Sequence, residues 1–273
     1  MMNNIAVIYN STQFIEKNLE NKIMVQDIAD HVGYSIYYFS RLFNQITGLS
    51  PYEYLIKRRL SLAVNKIITT EDKIIDLALH YQFNNPETFS RAFYKMFHLL
   101  PSKLKASKND EHLILQKPLS KKFLNYINQE NFKLEYDEIN ENAFTILGYI
   151  TTDNNKDSHF DILKKLRIFS KNNYFILYLN PLQNDKNILK LIGYKNNMDQ
   201  TPGNTVRKLI PAQKYMKFKI QATHYNLNYL FQYLFQIKLK QYYINKTQPY
   251  IIEVGPNHKI DNLNQRTFWI PLC

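Results

Sequence analysis

Asp27-Ile28-Ala29-Asp30-His31-Val32-Gly33-Tyr34, followed by Phe39-Ser40-Arg41-Leu42-Phe43, is answered later in the chain. The second copy is Asp76-Leu77-Ala78-Leu79-His80-Tyr81-Gln82-Phe83, followed by Phe89-Ser90-Arg91-Ala92-Phe93. The offset is 49 residues (76 − 27) in the first block and 50 (89 − 39) in the second, so one extra residue sits in the second turn. Each copy has apolar residues at helical spacing, a break, and a second run at helical spacing. This is helix, tight turn, helix, written twice. Gly33 makes the first break, a residue suited to the left-handed conformation that ends a helix. Ala29 and Ala78 stand four positions before the breaks, where a small side chain lets two helices cross closely.

Between the copies, Ser50-Pro51 opens a helix that runs to about Ile68, with the cap residue first and proline in the first turn. Tyr54, Leu55, Leu62 and Ile67 give it an apolar face. Its roughly 18 residues, at 1.5 Å each, span about 27 Å. That length suits two units held about one DNA turn, roughly 34 Å, apart.

In a helix-turn-helix the second helix enters the major groove, and its exposed N-terminal side chains meet base edges. In the first copy that helix is expected from about Ile36 to Gln45. Phe39, Leu42, Phe43 and Ile46 form its inward stripe, which leaves Ile36, Tyr37, Ser40, Arg41 and Asn44 outward. Arg41 is the best base reader, since a guanidinium makes two bonds to guanine O6/N7. Tyr37 suits a thymine methyl or a phosphate. In the second copy the helix starts at Pro86, capped by Asn85. Phe89, Phe93 and Met96 face inward, and Glu87, Thr88, Ser90, Arg91 and Lys95 face outward. Lys57, Arg58 and Arg59 on the connecting helix are read as phosphate contacts, which fix register without reading sequence. A plain charged helix face is the alternative.

Length and charge set the frame. The chain has 273 residues, and at roughly 100–200 residues per domain it holds about two domains. It is 45% apolar and 21% charged, enough for packed cores. With Lys+Arg 35 and Asp+Glu 23, the net charge is 35 − 23 = +12, which favours nucleic acid or an anionic membrane surface. Residues 1–106 carry only 12 − 9 = +3 of it, and residues 107–273 carry 23 − 14 = +9.

Several chemistries are excluded. The single cysteine, Cys273, allows no intramolecular disulfide, cysteine zinc site or CxxC pair. The seven histidines show no metal-ligand spacing, and GxSxG, P-loop and GxGxxG motifs are missing. No catalytic residue, metal or cofactor is therefore expected, and the chain is not read as an enzyme. No run of about 18 apolar residues is present, and Met-Met-Asn-Asn-Ile-Ala lacks a basic signal start. The expectation is a cytoplasmic protein with no membrane partner.

From Ser107 to about Asn125 the periodicity weakens, and residues 107–125 read as a linker. Leu113-Ile114-Leu115 within it is placed to dock on a domain. Beyond it, strands are expected at Leu134–Glu138, Phe144–Tyr149, Tyr174–Leu179, Ile188–Tyr194, Tyr215–Gln221, Tyr250–Val254 and Arg266–Ile270. Helices are expected at Ser158–Phe169 and Asn226–Lys240. The fold class is thus an all-α double helix-turn-helix domain at residues 1–106, then an α+β domain at residues 126–273. The second domain reads as two pseudo-symmetric β-α-β-β halves.

Residues 8–106 resemble the DNA-binding domain of the AraC family. The matching stretches are Ile28-Ala29, Gly33-Tyr34-Ser35, Phe39-Ser40-Arg41-Leu42-Phe43, Thr47-Gly48 with Ser50-Pro51, Arg58-Arg59 with Ala63, Ile74-Ile75-Asp76-Leu77-Ala78, Phe83, Phe89-Ser90-Arg91-Ala92-Phe93 and Pro101. The resemblance implies two units inserted into successive major-groove segments on one DNA face. Its base-contacting positions fall on Tyr37, Ser40 and Arg41, and on Pro86, Glu87, Ser90 and Arg91. The sequence departs from the family at Gln82 and His98, where glycine is usual. A non-glycine residue in a left-handed cap costs about 1 kcal/mol. Tyr37 and Ser40 replace the Trp and Gln often found there, so the preferred DNA sequence should differ from that of better known members.

Residues from about 130 to 272 resemble the GyrI-like effector-binding domain, joined in the Rob-type order. The carriers are Ile146-Leu147-Gly148-Tyr149, Ile210-Pro211-Ala212-Gln213-Lys214-Tyr215 with Phe218, the helix near Tyr229–Leu234, Glu253, and Trp269-Ile270-Pro271-Leu272. This resemblance implies an aromatic cleft for amphipathic, frequently cationic small molecules. A carboxylate among aromatic faces attracts an organic cation. Glu253, on the same strand face as Ile251, is the acidic candidate, and Tyr149, Tyr215, Tyr250 and Trp269 are the wall.

The reading is a transcription regulator on an asymmetric double-stranded DNA site of about 20 base pairs, acting as a monomer or weak dimer. RNA polymerase and a small-molecule effector are the further partners. Two alternatives keep DNA binding. In one, the GyrI-like domain hydrolyses small molecules with Glu253 and a Tyr as base and acid. In the other, it is a protein-docking module.

Overall fold

The computed structural model describes residues 4–109, 113–128, 133–152, 162, 173–179, 189–195, 204–221, 227–236, 250–255 and 265–272. The chain forms two compact units, residues 1–129 with 232–240, and residues 130–231 with 241–273.

The first unit is helical. In order it contains α1 (Asn4–Lys17), α2 (Val25–His31), α3 (Ile36–Thr47), α4 (Pro51–Thr69), α5 (Ile74–His80), α6 (Pro86–Phe97), α7 (Pro101–Ser107) and α8 (Lys121–Ile127). Helices α3, α4, α6 and α8 start on short polar side chains, which satisfy otherwise orphaned backbone donors. Ser35 accepts from the Tyr38 N–H at 3.4 Å and Ser50 from the Glu53 N–H at 3.1 Å. Asn85 accepts from the Thr88 N–H at 2.8 Å, while the Asn85 N–H donates to Thr88 Oγ1 at 3.3 Å.

The two turns are built alike. The Tyr34 N–H donates to the Ala29 carbonyl at 3.0 Å, and the Phe83 N–H to the Ala78 carbonyl at 2.9 Å. Gly33 and Gln82 hold the left-handed position of that closure, with φ of 76° and 63°. His98 ends α6 the same way, with φ of 52°. Both sites expected to bear a non-glycine left-handed residue therefore do. Ala29 and Ala78 are fully buried at the helix crossings. Helix α4 supplies Leu60, Ala63, Val64 and Ile67 to the core that closes over Leu77, Tyr81, Phe89, Phe93 and Phe97. Each buried Leu, Val, Ile or Phe side chain among these contributes roughly 1.5–3 kcal/mol.

The expected linker differs from the structure in its described part. Leu113 and Leu115 dock against the α4–α6 core, as their apolar character predicts. The segment then lies on α4: the Gln116 N–H donates to Ser61 Oγ at 2.9 Å, and the Leu119 N–H to the Tyr54 hydroxyl at 3.2 Å. Ser120 caps α8, whose Phe123 and Leu124 are fully buried. An extended segment whose backbone bonds go to side chains has no periodicity to read.

The second unit holds β1 (Lys133–Glu141), β2 (Phe144–Thr151), β3 (Tyr174–Leu179), β4 (Leu189–Lys195), β5 (Val206–Ile210), β6 (Gln213–Gln221), β7 (Tyr250–Gly255) and β8 (Gln265–Pro271), with the first part, up to Phe231, of helix α9 (Leu227–Gln236). The strands form one sheet in the order β1-β6-β8-β7-β3-β4-β2-β5, antiparallel at every pairing. This is the mixed helix-and-sheet class expected. Strand β5 was not anticipated. It is an edge strand with exposed Val206, Arg207 and Leu209, so a buried face does not mark it. The expected helix Ser158–Phe169 lies outside the described residues except Ile162, which is helical and buried.

Strand alternation divides the sheet into two faces. One carries Phe144, Ile146, Phe175, Leu177, Leu191, Ile210, Tyr215 and Ile252, with Trp269 packed beside them. On the other, Tyr178 and Phe268 stack edge-on against Phe231 of α9, at 5.1 and 6.3 Å between ring centroids.

Candidate nucleic-acid interface and buried carboxylate

Helix α3 buries Phe39, Leu42, Phe43 and Ile46 and turns Tyr37, Arg41 and Asn44 to solvent. These three stand at i, i+4 and i+7, so they form one stripe. Tyr37 is 77% exposed, flanked by Ile36 and Tyr38 at 43% and 47%. Ser40 is half-buried beside the stripe. Helix α6 repeats the arrangement. Phe89, Phe93 and Phe97 are buried, Met96 is half-buried, Glu87, Arg91 and Lys95 are exposed, and Pro86 and Ser90 are half-buried. Among the described residues, neither Arg41 nor Arg91 joins an ion pair.

The 50-residue offset carries Tyr37 onto Glu87, Arg41 onto Arg91 and Asn44 onto Tyr94. Tyr94 is exposed and completes the second stripe. The sequence reading missed it, although the repeat register marks its place. Thr88, expected outward, is spent on the α6 cap.

The reading of Arg58 and Arg59 as phosphate contacts is corrected: both are buried. Arg58 Nε and Nη2 donate to the two Glu16 carboxylate oxygens, each at 2.8 Å, and Nη1 donates to the Gln116 carbonyl. Arg59 donates from Nε to the Leu19 carbonyl at 2.9 Å and from Nη2 to the Asn21 carbonyl at 2.7 Å. Burial pulls the Arg59 guanidinium below its ordinary value. Burial, then the Glu16 carboxylate, push the Tyr54 hydroxyl up. Three consecutive helical residues sweep about 200°, so a Lys-Arg-Arg run cannot form one face. Lys57 stays nearer the surface, with Nζ 3.4 Å from Glu53.

Of the five expected pocket residues, the four with described side chains divide between the two faces of the sheet. Glu253 is 2% exposed. Its Oε2 accepts from the Tyr178 hydroxyl at 2.5 Å and its Oε1 from Arg266 Nη1 at 3.1 Å. Burial pushes the carboxyl above its ordinary value, opposed by Arg266, Tyr178 and Lys190. Glu253 pairs across the sheet with Ile176, Ile176 with Ile192, and Ile192 with Tyr149, so Glu253 and Tyr149 share a face. Tyr215 and Trp269 lie on the opposite face. Tyr250 pairs with Leu179 at the start of β7, and its side chain lies outside the described residues. The strand period of two separates Glu253 from its neighbours in sequence.

On that opposite face, Trp269 packs among Phe144, Phe175 and Tyr215, with centroids 6.5, 6.2 and 6.0 Å away. The Tyr215 hydroxyl donates to the Pro211 carbonyl at 3.1 Å. The buried Trp269 Nε1 has no hydrogen-bond partner among the described residues. No described helix is long and apolar enough to cross a membrane.

The helix-turn-helix domain family matches residues 28–107. The chain is 34% identical over 117 residues to the transposon Tn10 TetD protein of Escherichia coli, covering 39% of this chain and 85% of TetD. It is 35% identical over 97 residues to the transcriptional activator AarP of Providencia stuartii, covering 36% of this chain and 72% of AarP. To the transcriptional regulator Rob of Salmonella typhimurium it is 30% identical over 118 residues, covering 43% of this chain and 41% of Rob. A solved AraC-type regulator from Chromobacterium violaceum is similar over 38% of this chain and 92% of its own, at 27% identity and a TM-score of 0.36.

Proposed function

Because the chain belongs to the AraC family of DNA-binding transcription regulators, we propose that α3 and α6 read successive major-groove segments of one asymmetric site, while the second unit senses a small molecule. The carrying observation is the pair of exposed stripes at equivalent places in two equivalent helices. Arg41 and Arg91 each reach a guanine through two donors, and Glu87 accepts from a cytosine amino group. Tyr37 and Ile36 offer apolar surface to a thymine methyl. Ser40, Ser90 and the helix start at Pro86 fill the space between. Lys57 is the phosphate contact left from the basic run. RNA polymerase is the partner through which a bound protein acts, and a monomer carries both reading helices.

The strand order supports a GyrI-like unit of two related halves. Outward from the β3–β7 pair it runs β3-β4-β2-β5 on one side and β7-β8-β6-β1 on the other. The inner three strands of each half, β3-β4-β2 and β7-β8-β6, follow the same succession of second, third and first in chain order, and the edge strands β5 and β1 do not. The effector site we favour is the aromatic face of Phe144, Phe175, Tyr215 and Trp269. Its orphan indole N–H asks for an acceptor on the ligand, because a buried donor without a partner costs about 1–3 kcal/mol. A cation at Glu253 is disfavoured, since Arg266 already neutralises that carboxylate.

A second reading rests on the 2.5 Å Tyr178–Glu253 contact, which has the form of an acid–base pair. Turnover of a test electrophile, lost in Glu253→Gln, would favour it. Selection of duplexes from a random pool tests the main proposal. One sequence should be enriched at about 0.15 M salt, and an unenriched pool overturns it.

A further inference from the structure

A groove of about 320 Å³ opens between α1 and the C-terminal end of α2. One stripe of α1 forms its floor: Val7, Asn10, Phe14 and Lys17 recur at helical spacing, with Gln13 beside them. His31 and Val32 close the other side. Its volume is at the lower end of the range for small-molecule sites, about 300 Å³ and upward.

The lining is divided by chemistry. Val7 is fully buried, Phe14 and Val32 are half-buried, and the His31 ring stacks on Phe14 with centroids 4.3 Å apart. These make a flat apolar wall. Asn10 and Gln13 add side-chain amides, and Lys17 adds an exposed ammonium at the end of α1. No carboxylate lines the groove, and among the described residues Lys17 joins no ion pair. A flat apolar wall ending in a cation, with no carboxylate in the lining, matches a molecule of opposite design.

We propose that this groove binds a small amphipathic organic anion, an aromatic or short aliphatic carboxylate. Its apolar body lies on Phe14 and Val32, above the buried Val7, its carboxylate meets Lys17 Nζ in a charge-assisted bond, and the Asn10 and Gln13 amides supply further donors. Helix α2 is the first helix of the first helix-turn-helix, so its seat on α1 sets how α3 presents Tyr37 and Arg41. An anion wedged there braces α2 and changes DNA affinity by its differential affinity for the seated state. That consequence rests on the DNA-binding reading, whereas anion binding itself does not.

The test titrates the full chain with 1-naphthoate by calorimetry, beside the cationic twin 1-naphthylmethylamine. Naphthoate should bind and the amine should not. Lys17→Met should weaken naphthoate about tenfold or more. Asn10→Trp, which fills the groove from its exposed rim, should abolish binding. Unchanged melting temperatures of both variants confirm that the fold persists. Equal binding of the amine, naphthoate binding unaltered in both variants, or no heat at about 1 mM naphthoate overturns the site. Naphthoate bound with DNA affinity unchanged overturns the regulatory consequence. If DNA affinity is also indifferent to Arg41→Ala, the DNA-reading assignment has failed and the groove has not.

Discussion

Arg58 of α4 holds both carboxylate oxygens of Glu16 on α1, at 2.8 Å from Nε and 2.8 Å from Nη2. The Tyr54 hydroxyl donates to the same carboxylate at 2.8 Å while accepting from the Leu119 N–H. The pair therefore ties α1, α4 and the segment after α7 into one unit. Removing the guanidinium leaves a largely buried carboxylate without its partner, which costs about 3–5 kcal/mol in full burial. Glu16 keeps 20% of its side chain exposed, so Arg58→Ala should cost about 3 kcal/mol, read as a lower urea midpoint. The salt slope of DNA binding should not change. A slope reduced by about 1 would instead mark Arg58 as a phosphate contact.

His98 ends α6 with φ of 52°, a conformation that costs a β-carbon about 1 kcal/mol. His98→Gly should raise stability by up to that amount, less what the edge contact of the His98 ring with Tyr94, 6.1 Å between centroids, contributes. Gln82→Gly should gain less, because Gln82 Nε2 donates to the Glu20 carbonyl at 2.7 Å, a tie glycine lacks. Denaturant unfolding of the two variants side by side checks the order. An equal gain would show that the Gln82 tie contributes no more than the His98 ring contact.

These residues also show what was legible. Both turns and both inward stripes follow from the repeat, because helix period and turn chemistry are local, and the left-handed sites at Gln82 and His98 follow from the resemblance to the AraC family, where glycine is usual. Seven of the eight strands among the described residues were likewise marked by β-branched and aromatic runs. Arg58 and Arg59 were misread because composition does not say which way consecutive helical residues point. Glu253 and Trp269 were misjoined for a related reason. Which strand faces share a side depends on register between distant strands, as in the chain from Glu253 to Ile176, Ile192 and Tyr149.

Glu253 gives the second unit a pH signature. Its carboxyl is raised above the ordinary 4.5, mainly by burial. A folded-state value above the unfolded one binds an extra proton on folding. The associated stability is fully present below the unfolded value and is lost as pH rises through the folded one. Unfolding stability should therefore fall from about pH 4.5 upward by an amount that Glu253→Gln removes. The measurement is the difference between the two proteins across pH in chemical denaturation. A difference independent of pH would mean that Arg266 and Tyr178 fully compensate the burial.

Arg41 and Arg91 occupy equivalent exposed positions on the separate helices α3 and α6, 50 residues apart. Each replacement by Ala should cost about 1–3 kcal/mol of binding to the selected site and relax preference at one segment of it. Binding to non-cognate duplex should change far less, since that term is carried by phosphate contacts. Independent sites add within about 0.5 kcal/mol, so the double variant should lose the sum of the two costs in a mobility-shift titration. A double variant no weaker than the worse single one would mean that only one helix reads the site. The second helix-turn-helix would then serve to position the first, and Glu87, Ser90 and Tyr94 would be surface rather than readout.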